Sequence, residues 1–239
     1  MDETRRARTI DDAGTPGDAG AVGGGTGAVA GGTGGVPRPV AWSDAVWLNP
    51  PPAVSQDAEG LLVTARGHSD FWRTTSYGFV RDDGHALLTG LPDGHAVEVA
   101  FVARFDELYD QAGLMVRVDE RTWLKAGIEM SDGVPHLGAV VTRGQSDWSL
   151  SPVPDWAGRR VTVRASRTGD AVTIRARCED GPWRLIRLAP LDPGAAASAG
   201  PFCCSPQRAG LQVRFTRFTL GPADAALHLD APVPAAGDH

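Results

Sequence analysis

Three consecutive runs decide the fold: Ala112-Gly113-Leu114-Met115-Val116-Arg117-Val118, Trp123-Leu124-Lys125-Ala126-Gly127-Ile128-Glu129-Met130, and His136-Leu137-Gly138-Ala139-Val140-Val141-Thr142. Side chains alternate between faces along a strand. Leu114, Val116 and Val118 therefore share one apolar face. Leu124, Ala126, Ile128 and Met130 form the next, and Leu137, Ala139 and Val141 the third. Matching core to core pairs Val116 with Leu124 and centres the first turn on Asp119-Glu120-Arg121; a one-residue slip would drive Lys125 into the core. The second turn falls at Asp132-Gly133, a tight hairpin signal. On the other face the cross-strand neighbours are Arg117 with Trp123, Met115 with Lys125, and Glu129 with His136.

That second face is unlike an ordinary solvated one. It carries Trp123, Lys125, Glu129 and Arg117 beside Gly113, Gly127 and Gly138. Glycine inside a strand leaves room for something to approach the backbone, so the pattern describes a trough. Lys125 is the chain's sole lysine, every other basic residue being arginine. Arginine replaces lysine where only positive charge is needed, but not where a compact ammonium is. Lys125 and Glu129 are four residues apart, about 13 Å along a strand. Each must find a partner elsewhere or a ligand. The alternative is a solvated face with weak cross-strand ion pairs. The only two tyrosines, Tyr77 and Tyr109, lie in the same part of the chain.

Alternation extends outward. Val97, Val99, Phe101, Ala103 and Phe105 alternate, as do Val161, Val163 and Ala165, then Val172, Ile174 and Ala176, then Leu211, Val213 and Phe215. Asp82-Asp83-Gly84, Pro92-Asp93-Gly94 and Thr168-Gly169-Asp170 punctuate the runs. Many short strands with such turns predict an all-β antiparallel sandwich or barrel. Residues 1–40 read as a disordered Gly-rich tail, 41–222 as one domain, and 223–239 as a flexible C-terminal tail.

Composition narrows the classes. The 239 residues carry a net charge of −6, which argues against nucleic acid or an anionic membrane as partner. There is no apolar run of spanning length and no leader-like h-region. Cys178, Cys203 and Cys204 form neither a disulfide framework nor a metal cluster and read as small buried residues. A cytoplasmic protein with no metal and no cofactor is expected.

Several ordered motifs resemble the family called domain of unknown function 1349. They are Asp70-Phe71-Trp72-Arg73, Tyr77-Gly78-Phe79, Asp82-Asp83-Gly84-His85, Tyr109-Asp110-Gln111-Ala112-Gly113-Leu114-Met115, Trp123-Leu124-Lys125-Ala126-Gly127-Ile128-Glu129, Ser146-Asp147-Trp148-Ser149 and Gly200-Pro201-Phe202-Cys203-Cys204-Ser205-Pro206. Together they span about residues 45 to 222. The resemblance implies a two-sheet antiparallel jelly-roll sandwich, similar to concanavalin A-like lectins and glucanases, and includes fungal proteins with an enolase-regulation name. It implies that the second face is the concave one. The candidate ligand-binding residues are then Lys125, Glu129, Trp123, Gln111, Arg117, Tyr77, Trp72, His85 and Trp148, with Asp70 at the rim or floor. Each has a plainer reading: the tryptophans as packing, His85 as a turn cap, Asp70 and Asp147 as loop caps.

Three functions remain open. The first is a concave site for a carbohydrate or sugar-derived metabolite. The second is a carbohydrate-active enzyme, a lyase, epimerase or atypical hydrolase, using Lys125 and Glu129. A standard hydrolase needs two flanking carboxylates, and the central strand supplies one. The third is a non-enzymatic regulatory domain with a protein partner.

Overall fold

A computed structural model describes residues 35–227. The strands, in chain order, are β1 (Arg38–Pro39), β2 (Val46–Leu48), β3 (Ala53–Asp57), β4 (Gly60–Thr64), β5 (Phe71–Arg73), β6 (Val80–Asp82), β7 (His85–Gly90), β8 (His95–Val102), β9 (Gln111–Arg117), β10 (Thr122–Ser131), β11 (Val134–Arg143), β12 (Gln145–Pro152), β13 (Arg160–Thr168), β14 (Ala171–Cys178), β15 (Arg184–Pro190), β16 (Ser198–Cys204) and β17 (Gln212–Pro222). Two single 3₁₀ turns, Trp42–Asp44 and Pro154–Trp156, are the helical elements among the described residues. One sheet runs β15-β14-β13-β8-β17-β4-β3, with β1 added on β17; the other runs β12-β11-β10-β9-β16-β7-β2. The strand pairs of both are antiparallel. The fold is an all-β, two-sheet jelly-roll sandwich of the concanavalin A-like kind.

The register derived from alternation holds. Leu124 pairs with Val116, Trp123 with Arg117, Lys125 with Met115, and Glu129 with His136. Asp132 and Gly133 both take positive φ, 49° and 78°, the conformation that a two-residue hairpin requires. Between the sheets, Leu114, Ala126, Ile128, Val97, Val99, Phe101, Val163, Ile174 and Phe215 are buried in one cluster.

A second apolar cluster lies on the opposite face of the seven-stranded sheet. Met115, Trp123, Val140, Phe202 and Cys204 are capped there by Phe71 and Trp72. Those two come from β5, which pairs only with β6 to form a separate hairpin, Phe71 opposite Asp82. This hairpin turns the expected open trough into a roofed face. The glycines also differ from expectation. A Cβ on Gly127 would stand 2.1 Å from the Ala112 carbonyl oxygen, and one on Gly113 2.0 Å from that of Ala126. The space they leave is taken by the neighbouring strand, so they serve close strand approach and not ligand entry.

The packed chain passes the expected 41–222 boundaries at both ends. Arg38 and Pro39 pair with Leu220 and Thr219. Asp224 sits between Arg164 and Arg175. The rest of the two expected tails, 1–34 and 228–239, lies outside the described residues. Cys203 packs in the inter-sheet core and Cys204 under the hairpin. Burial pushes the Cys203 thiol up to about 12.

Candidate functional site

Between the hairpin and the outer face of β10 lies a cavity of about 350 Å³. Alternation aims Lys125 and Glu129 of β10 into it, and Gln111 joins from β9. Trp72 comes from β5, Tyr77 and Phe79 from the hairpin tip, and Trp148 from β12. His68, Asp70, Arg81, Tyr109, Val140, Pro206 and Gln207 complete the wall. The chain's one lysine and both its tyrosines thus meet in one cavity.

The floor is charged. Lys125, 3% exposed, places Nζ 2.9 Å from Asp70 Oδ1. The same oxygen accepts from Phe71 N at 2.7 Å and from Gln111 Nε2 at 3.4 Å. Asp70 is held in turn, its backbone N donating to Asp83 Oδ1 and its carbonyl accepting from Asp83 N and Gly84 N. Burial is the largest single influence on Lys125 and opposes its charge, but Asp70, Cys204 and Glu129 together outweigh it and leave the ammonium's pKa raised.

Glu129 is the exception to this order. Its Oε1 is sealed from solvent and meets no hydrogen-bond donor among the described residues. The residue as a whole keeps some surface, open toward the cavity it lines. Burial raises its carboxyl from 4.5 to about 7; Lys125 works against that rise and Asp70 adds to it. A carboxyl with one undonated oxygen in low dielectric favours its neutral form.

The upper wall is aromatic. Trp72 meets Trp148 edge-on at 6.0 Å and 84°, and Tyr77 at 5.5 Å and 66°. Tyr77 and Phe79 lie nearly parallel, 18° apart at 5.6 Å. Trp72 Nε1 donates to the Thr75 carbonyl, tying the roof to its own turn. Thr74, Ser76, His68 and Tyr109 all hold positive φ. Such strained non-glycine backbone concentrates at functional sites. Burial raises the Tyr109 phenol, with Tyr77 beside it adding to the shift.

Six of the nine residues expected at the site line this cavity: Lys125, Glu129, Gln111, Tyr77, Trp72 and Trp148. The other three stand outside its lining as supports. Arg117 forks onto Asp82 of the hairpin at 2.7 and 2.8 Å. Trp123 is 3% exposed, packed against Phe71 at 6.0 Å. His85 is fully buried. Its Nε2 accepts from Arg66 N, so Nδ1 carries the proton and donates to the Asn49 carbonyl at 2.6 Å. Burial lowers its pKa and keeps it neutral. Asn49 Nδ2 donates to the carbonyls of Asp82 and Gly84, so this chain of bonds fixes the hairpin's base.

Sequence reasoning did not name Phe79, Arg81, Tyr109, His68, Pro206 and Gln207 as wall, although the shared stretch of the two tyrosines pointed toward Tyr109. The first three lie within or next to the hairpin and β9 motifs and were traceable by adjacency. His68 and the 206–207 pair reach the cavity through a long-range bridge, Gly67 to Ser205, that carries no local signal. Asp147, expected as a loop cap, pairs instead with Arg187.

A family model described as Protein of unknown function (DUF1349) matches residues 47–223. A Saccharomyces cerevisiae protein named Regulation of enolase protein 1 is 40% identical over 187 residues, covering 78% of this chain and 94% of that protein. The crystal structure of a functionally unknown protein from Saccharomyces cerevisiae is 37% identical with TM-score 0.73, covering 78% of this chain and 100% of that one. A xylan beta-1,4-xylosidase from Bacillus halodurans has TM-score 0.54 at 12% identity, over 67% of this chain and 32% of the xylosidase. The last likeness is one of fold alone.

Proposed function

The chain belongs to that family, DUF1349, and we propose that it is a ligand-binding β-sandwich whose roofed cavity takes a sugar or a sugar-derived metabolite. The observation that carries this reading is the cavity's division into an aromatic wall, Trp72 with Trp148, and a hydrogen-bonding floor of Lys125, Asp70, Gln111 and Glu129. Sugars present the same division. Their C–H faces stack on aromatic rings, and their hydroxyls both donate and accept. A cavity of about 350 Å³ is at the small end of ligand pockets and suits a ligand on the scale of a small sugar. The β-sandwich likeness to a xylosidase is compatible with this but adds only an analogy of fold.

Thermal shift and calorimetry with xylose, arabinose, glucose, galactose and mannose test it. A binder at about a hundred times its Kd stabilises the fold by about 2.7 kcal/mol. Trp148→Ala and Lys125→Met should both abolish the shift. No shift with any sugar would remove the reading.

One observation favours a second reading, an acid–base enzyme on the same class of ligand. Glu129 titrates at about 7, where a general acid or base works best near neutral pH. Asp70 also places a second carboxylate in the cavity, off the central strand, although it is committed to Lys125. Turnover of any sugar that is lost in a folded Glu129→Gln protein would support this reading; binding without turnover would leave the first.

A further inference from the structure

The geometry points to a second subsite at the mouth of the cavity, so that the ligand is the end of an oligosaccharide and not a free monosaccharide. This rests on the sugar reading above. The floor is closed: Lys125 and Gln111 are each 3% exposed, and Oε1 of Glu129 is sealed. Trp72 roofs the interior at 7% exposure. Toward the hairpin tip, a sugar ring seated there meets Tyr77 and Phe79, which line the same cavity and are exposed.

That exit is built differently from the interior. Tyr77 and Phe79 are 51% and 44% exposed and lie nearly parallel, offset by 5.6 Å. Val80 beside them is 48% exposed. Contiguous exposed apolar surface with a polar border marks a contact site. The border is present: His68 and Gln207 are exposed and line the same cavity. Arg81 is half-exposed, with only a loose 3.4 Å contact to Asp83 and one to the His68 carbonyl at 3.3 Å. An aromatic face ringed by donors repeats, one step outward, the division of the interior. The occupant that fits it is the next sugar ring of the same chain, because this patch is continuous with the cavity that Tyr77 and Phe79 also line.

The test compares affinities by calorimetry: xylose against xylobiose and xylotriose, glucose against cellobiose and maltose, galactose against its β-1,4 disaccharide. The disaccharide of the accepted sugar should bind about three- to tenfold tighter than the monosaccharide, the scale of one aromatic contact. Phe79→Ala should bring that ratio close to one, and Tyr77→Ala should do the same if Phe79→Ala proves unstable. Trp148→Ala should weaken mono- and disaccharide alike. Equal or weaker binding of every disaccharide relative to its monosaccharide overturns the mouth subsite and leaves the sugar reading standing. An unchanged ratio in a folded Phe79→Ala protein also overturns it. Failure of all the sugars overturns both.

Discussion

On the outer face of the eight-stranded sheet, Arg164 and Arg175 stand directly opposite each other on β13 and β14. Like charges so placed repel. Asp224 lies between them: one oxygen accepts from Arg164 Nε at 2.8 Å and the other from Arg175 Nη1. Arg164 also meets the Pro222 carbonyl and Glu98, and Arg175 the carbonyls of Ala226 and Leu227. On the outer face of the seven-stranded sheet, Lys125 is as deeply buried as Arg175, with side chains 4% and 3% exposed. Among the described residues it pairs with one carboxylate, that of Asp70, and lines a cavity that Glu129, whose Oε1 has no donor there, also lines. A buried charge on a sheet face is therefore not by itself a site. What separates the two faces is satisfaction: one is closed by the chain's own 222–227 segment, while the other keeps a cavity and a carboxyl oxygen with no donor among the described residues.

That contrast can be broken by mutation. The largest effect should come from Asp70→Ala, which strands the Lys125 ammonium and should cost about 3 kcal/mol or more in urea unfolding. Adding Lys125→Met should recover most of it, since the pair is coupled. No recovery would mean that Asp70 acts through the hairpin's base and not through its charge.

Glu129→Gln should move stability in the opposite direction. The Glu129 carboxyl titrates at about 7 when folded and 4.5 in its unperturbed form. The folded state then binds more protons between those values, so stability falls as pH rises from about 4.5 to about 7 and then levels. The loss is on the order of 3 kcal/mol. Glu129→Gln should flatten that slope and leave the protein more stable near pH 8. Unfolding curves at a series of pH values check it, and an unchanged slope would place the titration elsewhere.

The smallest effect is expected on the saturated face. Asp224→Ala should cost about 2 kcal/mol, because Arg164 and Arg175 keep their carbonyl acceptors. It should leave sugar affinity untouched in calorimetry. A change in affinity would show that the two faces communicate and would blur the distinction.

The residues that could be placed from sequence are those governed by strand period. Lys125 could be assigned to the outer face, opposite Met115 and two residues from Trp123, because a slip would have buried it in the core. Trp72, Tyr77 and Trp148 were reachable through the motifs that resemble the family. Arg117, Trp123 and His85 had the right position and a different task. Their types, a cation, an indole and an imidazole, are the same whether they hold a ligand or hold the hairpin that covers it. Only their partners, Asp82, Phe71 and Asn49, distinguish the two uses.

By itself, then, the sequence determined the antiparallel sandwich, the register of β9, β10 and β11, and the pairing of Glu129 with His136. These follow from side-chain period and turn chemistry, which act between near neighbours. Tertiary structure decided that Asp70, fifty-five residues away, would be the partner of Lys125. It also decided that the hairpin β5–β6 would roof the face, and that Oε1 of Glu129 would meet no donor among the described residues. Those outcomes depend on where a long connection folds back, and no local pattern encodes that.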